Sequence, residues 1–152
     1  IRSLGVKLKL SSTKTIVKNK SIILIDDSLV RGTTCHKIVK MLYESGAKEV
    51  HVRIACPEIK FPDFYGVDMP TKEELLAHKK NIVEMCDYIN AKSLKFLSLE
   101  GLYTALTDQK RNNNYPQFSD HYFTGDYPIK PADNLKGLEI KQLSLLSGKS
   151  SI

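Results

Sequence analysis

Two adjacent aspartates, Asp26 and Asp27, are the residues of this sequence best placed to carry chemistry. They follow directly on an apolar run from Ile22 to Ile25. Neighbouring carboxylates repel each other, so both stay ionised only where a cation or hydrogen-bond donors lie beside them. A vicinal diol together with Mg²⁺ would satisfy both at once, because Mg²⁺ prefers hard oxygen ligands. The pair therefore predicts a site for a hydroxylated ligand, with Asp26 and Asp27 as Mg²⁺ ligands.

The residues after the aspartates have the composition of a phosphate-binding loop. Ser28 to Thr34 reads SLVRGTT and leads into a helical pattern. The free N–H groups and the dipole at a helix N-terminus favour an anion. Gly32 lets the backbone approach the ligand closely, and the hydroxyls of Thr33 and Thr34 add donors. Together with the aspartates, this loop predicts a site for a ribose 5-phosphate.

Two other interpretations of the motif carry less weight. An isolated Asp-Asp after a strand is commonly a turn or a helix cap, but here an apolar run precedes it and Arg-Gly-Thr-Thr follows it into a helix. The pattern G-x-x-x-x-G-K-[ST] of a nucleoside triphosphate loop is absent. Ligand binding is therefore favoured over a structural turn, and a ribose phosphate over a triphosphate.

The elements around the motif predict an α/β fold. Continuous apolar residues from Ile22 to Ile25 are typical of a strand buried on both faces of a parallel sheet. A helix should begin at Thr33 or Thr34 and end at Gly46, and alternating residues in Glu49 to Ala55 predict a return strand. In such β-α-β units, ligands bind at the carboxyl ends of the strands, which is where the aspartates lie.

Weaker patterns continue the alternation of helices and strands. Thr71 followed by Glu74 resembles a capping box and predicts a short helix at about 72–78. The remaining predictions are a helix with a buried side, a short strand at Leu94 to Leu97, a helix capped by Ser98, and a last edge strand within His121 to Pro128. The residues expected on the buried side of that first helix are Ile82, Val83, Met85, Cys86 and Ile89.

Length and composition are those of one globular domain. The chain has 152 residues, of which 41% are hydrophobic and 26% charged, as is ordinary for such domains. It contains neither a long apolar span nor a signal-peptide pattern, so we expect a cytoplasmic protein without membrane contact. Cys35, Cys56 and Cys86 are odd in number and widely spaced, which predicts reduced thiols and argues against a disulfide framework or a zinc site.

The net charge of +6 lies in the first twenty residues, which contain six of the 23 bases and none of the 17 acids. A basic segment of this kind, 1–20, suits either nucleic acid or an anionic small molecule. Nucleic acid is disfavoured, because aromatic residues are not interleaved with the bases and no recognition-helix pattern is present.

The motif IILIDDSLVRGTT resembles the phosphoribosyl pyrophosphate (PRPP) signature of type I phosphoribosyltransferases. Further segments narrow the resemblance to the C-terminal portion of the amidophosphoribosyltransferases, from the first residues to about Pro128. In chain order these segments are IRSLGVKLKL, the motif itself, GAKEVHVRIACPEIKFPDFYGVDMP, ELLAH, AKSLKFLSLEGL and FTGDYP. The implied fold is a partial Rossmann-like type I phosphoribosyltransferase fold, the second half of the parallel sheet with flanking helices and a C-terminal extension.

The resemblance implies the first step of de novo purine biosynthesis. In that reaction, ammonia from glutamine displaces pyrophosphate from PRPP to give 5-phosphoribosylamine. It implies PRPP and purine nucleotides as ligands, Mg²⁺ as cofactor, and no residue acting as nucleophile or base. The implied PRPP-binding residues are Asp26, Asp27, Ser28, Val30, Arg31, Gly32, Thr33 and Thr34. The segment 1–20 is similar to the end of the family's flexible loop, which would bring Arg2, Lys7 and Lys9 to the phosphates.

The sequence also departs from the family. Some members hold an iron–sulfur cluster with cysteines at positions that match Asp63, Ser119 and Tyr122 here, so no cluster is expected. The N-terminal glutaminase domain and its cysteine nucleophile are not found in the sequence, so glutamine hydrolysis would need a separately encoded partner. We therefore expect a partial transferase domain at 21–128 and a partly mobile tail at 129–152.

Two hypotheses remain open for the activity of this chain. One is a piece of an amidophosphoribosyltransferase, an enzyme family that is oligomeric, which would act together with the missing upstream half. The other is a non-catalytic ribose-phosphate or nucleotide-binding remnant or regulatory protein.

Overall fold

A computed structural model of the chain describes residues 14–66 and 71–129. Its centre is a three-stranded parallel sheet in the order β1-β2-β3. The strands are β1 (Ser21–Asp26), β2 (Glu49–Ile54) and β3 (Ser93–Phe96). The α/β class is confirmed, and so are the three strands, each within one residue of its predicted bounds at either end.

Helices connect the parallel strands. They are α1 (Lys14–Val17), α2 (Thr33–Glu44), α3 (Leu76–Lys79), α4 (Ile82–Tyr88), α5 (Leu99–Thr107) and α6 (His121–Thr124), with a 3₁₀ turn at Lys72–Glu74 before α3. Helix α2 leads from β1 to β2, and α3 and α4 precede β3. Gly46 follows the end of α2 with φ 93°, and its N–H donates to the carbonyl oxygen of Tyr43. The predicted cap of α5 is also confirmed, since Ser98 Oγ accepts from the N–H of Gly101 at 3.0 Å.

The core lies between the sheet and these helices. Strand β2 alternates, with every second residue buried, as its apolar and polar residues predict. The core residues are Val17, Leu29, Cys35, Val39, Leu42, Val50, Val52, Ile54, Leu76, Ala77, Met85, Ile89 and Leu94. Leu29, in the loop that follows β1, is buried in this core and so attaches the loop to it.

The prediction that β1 is buried on both faces is wrong for the described residues. Ile23 and Ile25 are 65% and 72% exposed, whereas Ile22 and Leu24 pack against the core. In the part of the chain that the structure describes, β1 forms one edge of the sheet and has a covered and an uncovered face.

The segment before β3 differs from its predicted form. The Thr71 side chain makes no cap hydrogen bond, and the chain forms the 3₁₀ turn and then an extended Leu75 before α3. The Glu74 carboxylate bonds to Arg31 and not to the N–H of Thr71, as a capping box would require. A capping box is present ten residues later, where Asn81 and Glu84 each accept from the other's N–H.

Helix α4 has a narrower buried side than expected. Met85 and Ile89 are fully buried, but Ile82 is 43% and Val83 70% exposed. Val83 lies two residues from Met85, which places it on the other side of the helix. Ile82 is at the first position of the helix, where it borders open space.

The predicted edge strand in His121 to Pro128 is wrong, because this segment begins with the helical turn α6. The carbonyl oxygen of Asp120 accepts from the N–H of Phe123, and Gly125 ends the turn with φ 75°. Asp120 is buried and its carboxylate accepts from the hydroxyl of Tyr103 at 2.7 Å and from the guanidinium of Arg111. Polar partners rather than an apolar stripe hold this segment, so hydrophobic periodicity gave no signal for it.

Several predictions concern residues outside the described ranges. Arg2, Lys7 and Lys9, the expected flexible-loop contacts, are among them, as is the tail beyond Ile129. None of the helices in residues 14–66 and 71–129 has the length and apolar character needed to cross a membrane.

Candidate functional site

A cavity of about 300 Å³ lies at the carboxyl end of β1. One unbroken stretch of chain, from Asp26 to Cys35, lines it. The stretch includes every PRPP-binding residue that the resemblance implied, so the structure brings all eight of them together around one space. A larger cavity of about 530 Å³ lies beyond the end of β3, but paired carboxylates are not among its lining residues.

The carboxylates of Asp26 and Asp27 line this cavity and receive few hydrogen bonds from the chain. The N–H of Asp27 donates to Asp26 Oδ1 at 3.1 Å, and Ser28 Oγ donates to Asp27 Oδ1 at 3.0 Å. Asp26 is half-buried and Asp27 is exposed. Two adjacent carboxylates that receive one hydrogen bond each leave negative charge uncompensated. This oxygen-rich donor set fits a hard divalent cation such as Mg²⁺.

The negative charge of the aspartates also helps to raise the pKa of two cysteine thiols, Cys35 and Cys56. Burial, and then the negative charge of Asp26, raises the pKa of the Cys35 thiol to about 11. Burial, followed by the charges of Asp27 and Asp26, likewise raises the pKa of Cys56 to about 11. Both thiols are free and stay protonated at neutral pH, so neither is suited to act as a nucleophile.

Gly32 shapes the start of α2. It is the N-cap residue in the left-handed conformation, with φ 74°, and its carbonyl oxygen accepts from the N–H of His36 at 2.9 Å. Because glycine has no side chain to cap the helix, the first N–H groups of α2 have no acceptor from the cap. The first turn also lacks acidic residues. This end of α2 therefore has the features of an anion-binding helix terminus.

Residues distant in sequence contact the 28–34 loop and the first turn of α2 and hold them in place. The N–H of Leu76 donates to the carbonyl oxygen of Val30 at 2.9 Å. His36 Nδ1 donates to the carbonyl oxygen of Tyr88 at 2.9 Å, which places His36 behind the loop rather than in the position of a base. A Cβ atom at Gly32 would lie 2.7 Å from Leu76 Cδ2 and 3.0 Å from Tyr88 Cε1. Contacts with α3 and α4 thus fix the conformation of the loop.

Arg31 contacts the same segment through its side chain. Its Nη2 donates to Glu74 Oε2 at 2.9 Å, and both side chains are about half exposed. Sequence reasoning missed this ion pair and the contacts that hold the loop in place, because their partners are separated by about forty to fifty residues and belong to no short motif.

Asp63, Ser119 and Tyr122 occupy the positions at which some family members have cluster-binding cysteines. All three contact His121. Asp63 Oδ1 accepts from His121 Nε2 at 2.8 Å, and both side chains are buried. Ser119 Oγ lies 3.0 Å from His121 Nδ1. Burial, and then the charge of Asp63 and a hydrogen bond to it, raises the pKa of Tyr122. A hydrogen-bonded polar cluster therefore joins the 57–66 segment to α6.

Similarity to curated proteins covers most of the chain, although no family model matches it. It is 51% identical over 148 residues to the amidophosphoribosyltransferase of Rhizobium etli, which is 97% of this chain and 30% of that protein. It is 51% identical over 128 residues to that of Staphylococcus aureus, 84% of this chain and 26% of the relative. For the chloroplastic amidophosphoribosyltransferase 2 of Arabidopsis thaliana, the identity is 47% over 134 residues, 88% of this chain and 23% of the relative.

Solved structures agree with the sequence relatives. The glutamine PRPP amidotransferase of B. subtilis, complexed with ADP and GMP, matches with a TM-score of 0.73 at 42% identity, over 81% of this chain and 27% of that one. A structure described as the allosteric regulatory enzyme of purine biosynthesis matches with a TM-score of 0.72 at 43% identity, over 81% of this chain and 26% of that one.

The parallel sheet with its flanking helices is therefore a partial type I phosphoribosyltransferase fold. Within that class the relatives are specific: the chain matches the C-terminal part of the amidophosphoribosyltransferases of purine biosynthesis. It spans less than a third of the length of the curated relatives that it matches.

Proposed function

We propose that this chain provides the ribose- and 5-phosphate-binding half-site of an amidophosphoribosyltransferase. Together with the rest of such a protein, it would form 5-phosphoribosylamine from PRPP and glutamine-derived ammonia. The observation that carries the proposal is the single cavity in which the Asp26–Asp27 pair and the 28–34 loop meet at the carboxyl end of β1. Substrate hydroxyls and a terminal phosphate would find matching groups there.

The residues of this chain would act by binding and orientation. The carboxylates of Asp26 and Asp27 accept hydrogen bonds from the ribose hydroxyls, and the N–H groups of the loop with the hydroxyls of Thr33 and Thr34 bind the 5-phosphate. Fixing both ends of the ribose orients its C1 for attack by ammonia. The aspartates also place negative charge near the sugar ring, where positive charge develops as pyrophosphate leaves. When bound at Asp26 and Asp27, Mg²⁺ would offset the charge of the departing pyrophosphate.

The proposal extends to features that lie beyond the described residues or outside this chain. Arg2, Lys7 and Lys9 would close over the phosphates of PRPP. Purine nucleotides would compete for or regulate the site, and the intact enzyme would be a cytoplasmic homo-oligomer without an iron–sulfur cluster. Glutamine hydrolysis would come from a glutaminase domain.

The second candidate is a non-catalytic protein that binds a ribose phosphate or a nucleotide. It is favoured by the continuity of the cavity, because one stretch of chain from Asp26 to Cys35 lines it. Such a cavity could bind its ligand without the remaining parts of a transferase.

Calorimetric titration of the chain with PRPP, with and without Mg²⁺, tests the half-site. We expect binding that depends on Mg²⁺ and a loss of affinity of about tenfold or more in Asp27→Asn, because the change removes one charge and leaves an oxygen to accept from Ser28. The matched control is Asp108→Asn at the end of α5, which removes the same charge from a distant exposed position and should bind as wild type does.

Two outcomes would count against the half-site. Unchanged affinity of Asp27→Asn would remove the carboxylate from the site. A folded wild-type chain, verified by circular dichroism, that fails to bind PRPP in Mg²⁺ would refute a site complete within Asp26 to Cys35. Binding without turnover of PRPP and ammonia after addition of the upstream half of an amidophosphoribosyltransferase would favour the non-catalytic candidate.

A further inference from the structure

The Arg31–Glu74 ion pair bears directly on the electrostatics of the cavity. Among the described residues that line the cavity, Arg31 is the only one with a positively charged side chain. Its guanidinium is bound to Glu74, which is not a lining residue. Since the side chains are 54% and 50% exposed, water and ions reach the pair, and the guanidinium is free to exchange one anionic partner for another.

Glu74 is held beside the loop independently of this ion pair. Its own N–H donates to the carbonyl oxygen of Thr71 at 2.9 Å and closes the 3₁₀ turn. Two residues later, the N–H of Leu76 donates to the carbonyl oxygen of Val30, and the Leu76 side chain packs against Gly32. The backbone of Glu74 therefore stays close to the loop whether or not Arg31 contacts its side chain.

The charges around the loop are unbalanced as a result. Within residues 14–66 and 71–129, Asp26, Asp27 and Glu74 contribute three carboxylates, and Arg31 contributes the one guanidinium among the lining residues. Like charges repel and opposite charges attract at these separations, so the excess of negative charge attracts a divalent cation and repels a phosphate. A phosphate must also compete with Glu74 for Arg31.

We propose that Glu74 biases the site to take its phosphate ligand together with a divalent cation. The inference rests on the proposed function of the loop as a phosphate site. Glu74 weakens the binding of the metal-free phosphate, because it occupies Arg31 and adds a negative charge. The same charge strengthens the binding of the cation at Asp26 and Asp27. One residue thus changes two affinities in opposite directions.

The size of each effect follows from Coulomb's law. For a doubly charged ligand about 7 to 13 Å from the Glu74 carboxylate and a water-like effective dielectric constant of about 80, removal of one unit charge changes the affinity about three- to eightfold. Release of Arg31 from its competing partner would add to the effect on phosphate. Because the pair is exposed, both effects should shrink as the salt concentration rises.

The experiment compares the full chain with Glu74→Gln and with the control Glu73→Gln. Glu73 is the adjacent residue of the same 3₁₀ turn, so the control removes the same charge without removing the partner of Arg31. Ribose 5-phosphate is titrated in the presence of EDTA, and Mn²⁺, which takes the same oxygen ligands as Mg²⁺, is titrated without phosphate and followed by electron paramagnetic resonance.

We expect Glu74→Gln to bind ribose 5-phosphate about three- to eightfold more tightly than wild type and Mn²⁺ about three- to eightfold more weakly. Glu73→Gln should change both affinities less than Glu74→Gln does, because it leaves the Arg31–Glu74 pair in place. A merely structural role of Glu74 would not move the two affinities in opposite directions.

Other outcomes overturn the inference in distinguishable ways. If Glu74→Gln matches Glu73→Gln, Glu74 does not control the charge of the site. If it weakens ribose 5-phosphate binding, Glu74 instead orients Arg31 towards the ligand. If wild type binds neither ribose 5-phosphate nor PRPP even with Mg²⁺, the proposed function itself fails, and the inference fails with it.

Discussion

Replacement of Gly32 by alanine tests whether the phosphate loop is fixed by its packing against α3 and α4. Gly32 has φ 74°, a conformation that costs an alanine about 1–2 kcal/mol. The new Cβ would lie 2.7 Å from Leu76 Cδ2 and 3.0 Å from Tyr88 Cε1, and overpacking of this kind costs about 1–3 kcal/mol. Part of the sum is offset because alanine restricts the unfolded chain by about 0.4–1 kcal/mol. We expect the free energy of unfolding to fall by about 1–5 kcal/mol.

Gly66→Ala separates backbone strain from packing. Gly66 also has a positive φ, 108°, but a Cβ atom there would meet no atom of the described residues within 4 Å. Urea denaturation followed by circular dichroism should show Gly32→Ala to be less stable than Gly66→Ala, because only Gly32→Ala adds overpacking, which costs about 1–3 kcal/mol. Ribose 5-phosphate binding should fall only in Gly32→Ala, because only there does the loop move. Equal losses of stability in the two variants would show that Leu76 and Tyr88 give way and do not brace the loop.

Two further predictions concern ionisation. Burial alone would raise the pKa of Asp120, but hydrogen bonds from Arg111 and Tyr103 outweigh it and hold this pKa below its ordinary value. Its stabilisation is therefore present above about pH 4 and lost as the pH falls through the folded-state pKa; urea denaturation between about pH 2 and 5 should show a flatter acid decline in Asp120→Asn, and an unchanged slope would contradict this. At the site, a cation on Asp26 and Asp27 would offset the charges that help raise the pKa of Cys56 to about 11. Alkylation of Cys56 at pH 8 should then become faster on addition of Mg²⁺, and a rate that is independent of Mg²⁺ would argue against metal binding beside this thiol.

The residues of the cavity could be predicted from the sequence because they are consecutive in the chain. All of its lining residues belong to one stretch, Asp26 to Cys35, and its position follows from a strand that ends where a helix is about to begin. The strands were found for a similar reason, since β2 alternates between buried and half-buried residues in step with its apolar pattern. Propensity and periodicity predict an element correctly where neighbouring residues in the sequence determine its conformation.

Prediction failed where a distant polar partner decided the local structure. Thr71 and Glu74 have the spacing of a capping box, but Glu74 bonds to Arg31, about forty residues earlier in the chain. The pattern in His121 to Pro128 predicts an edge strand, whereas the buried contacts of Asp120 and His121 hold a helical turn there. Hydrogen bonds and ion pairs across the fold leave no periodic trace in a sequence, so this class of contact could be found only from the structure.

The residues that line the cavity are consecutive in the chain, whereas the residues that hold the loop in place belong to α3 and α4. The groups that would touch a ribose phosphate lie in the 26–35 stretch, but its shape depends on Leu76, which bonds to Val30, and on Tyr88, which bonds to His36. Changes in α3 or α4 would therefore alter ligand affinity without touching the ligand. Glu74 lies just before α3 and bonds to the one cation of the loop. The segment that sets the geometry of the loop thus also sets its charge, so a shift of this segment would change both the fit and the electrostatics of the site.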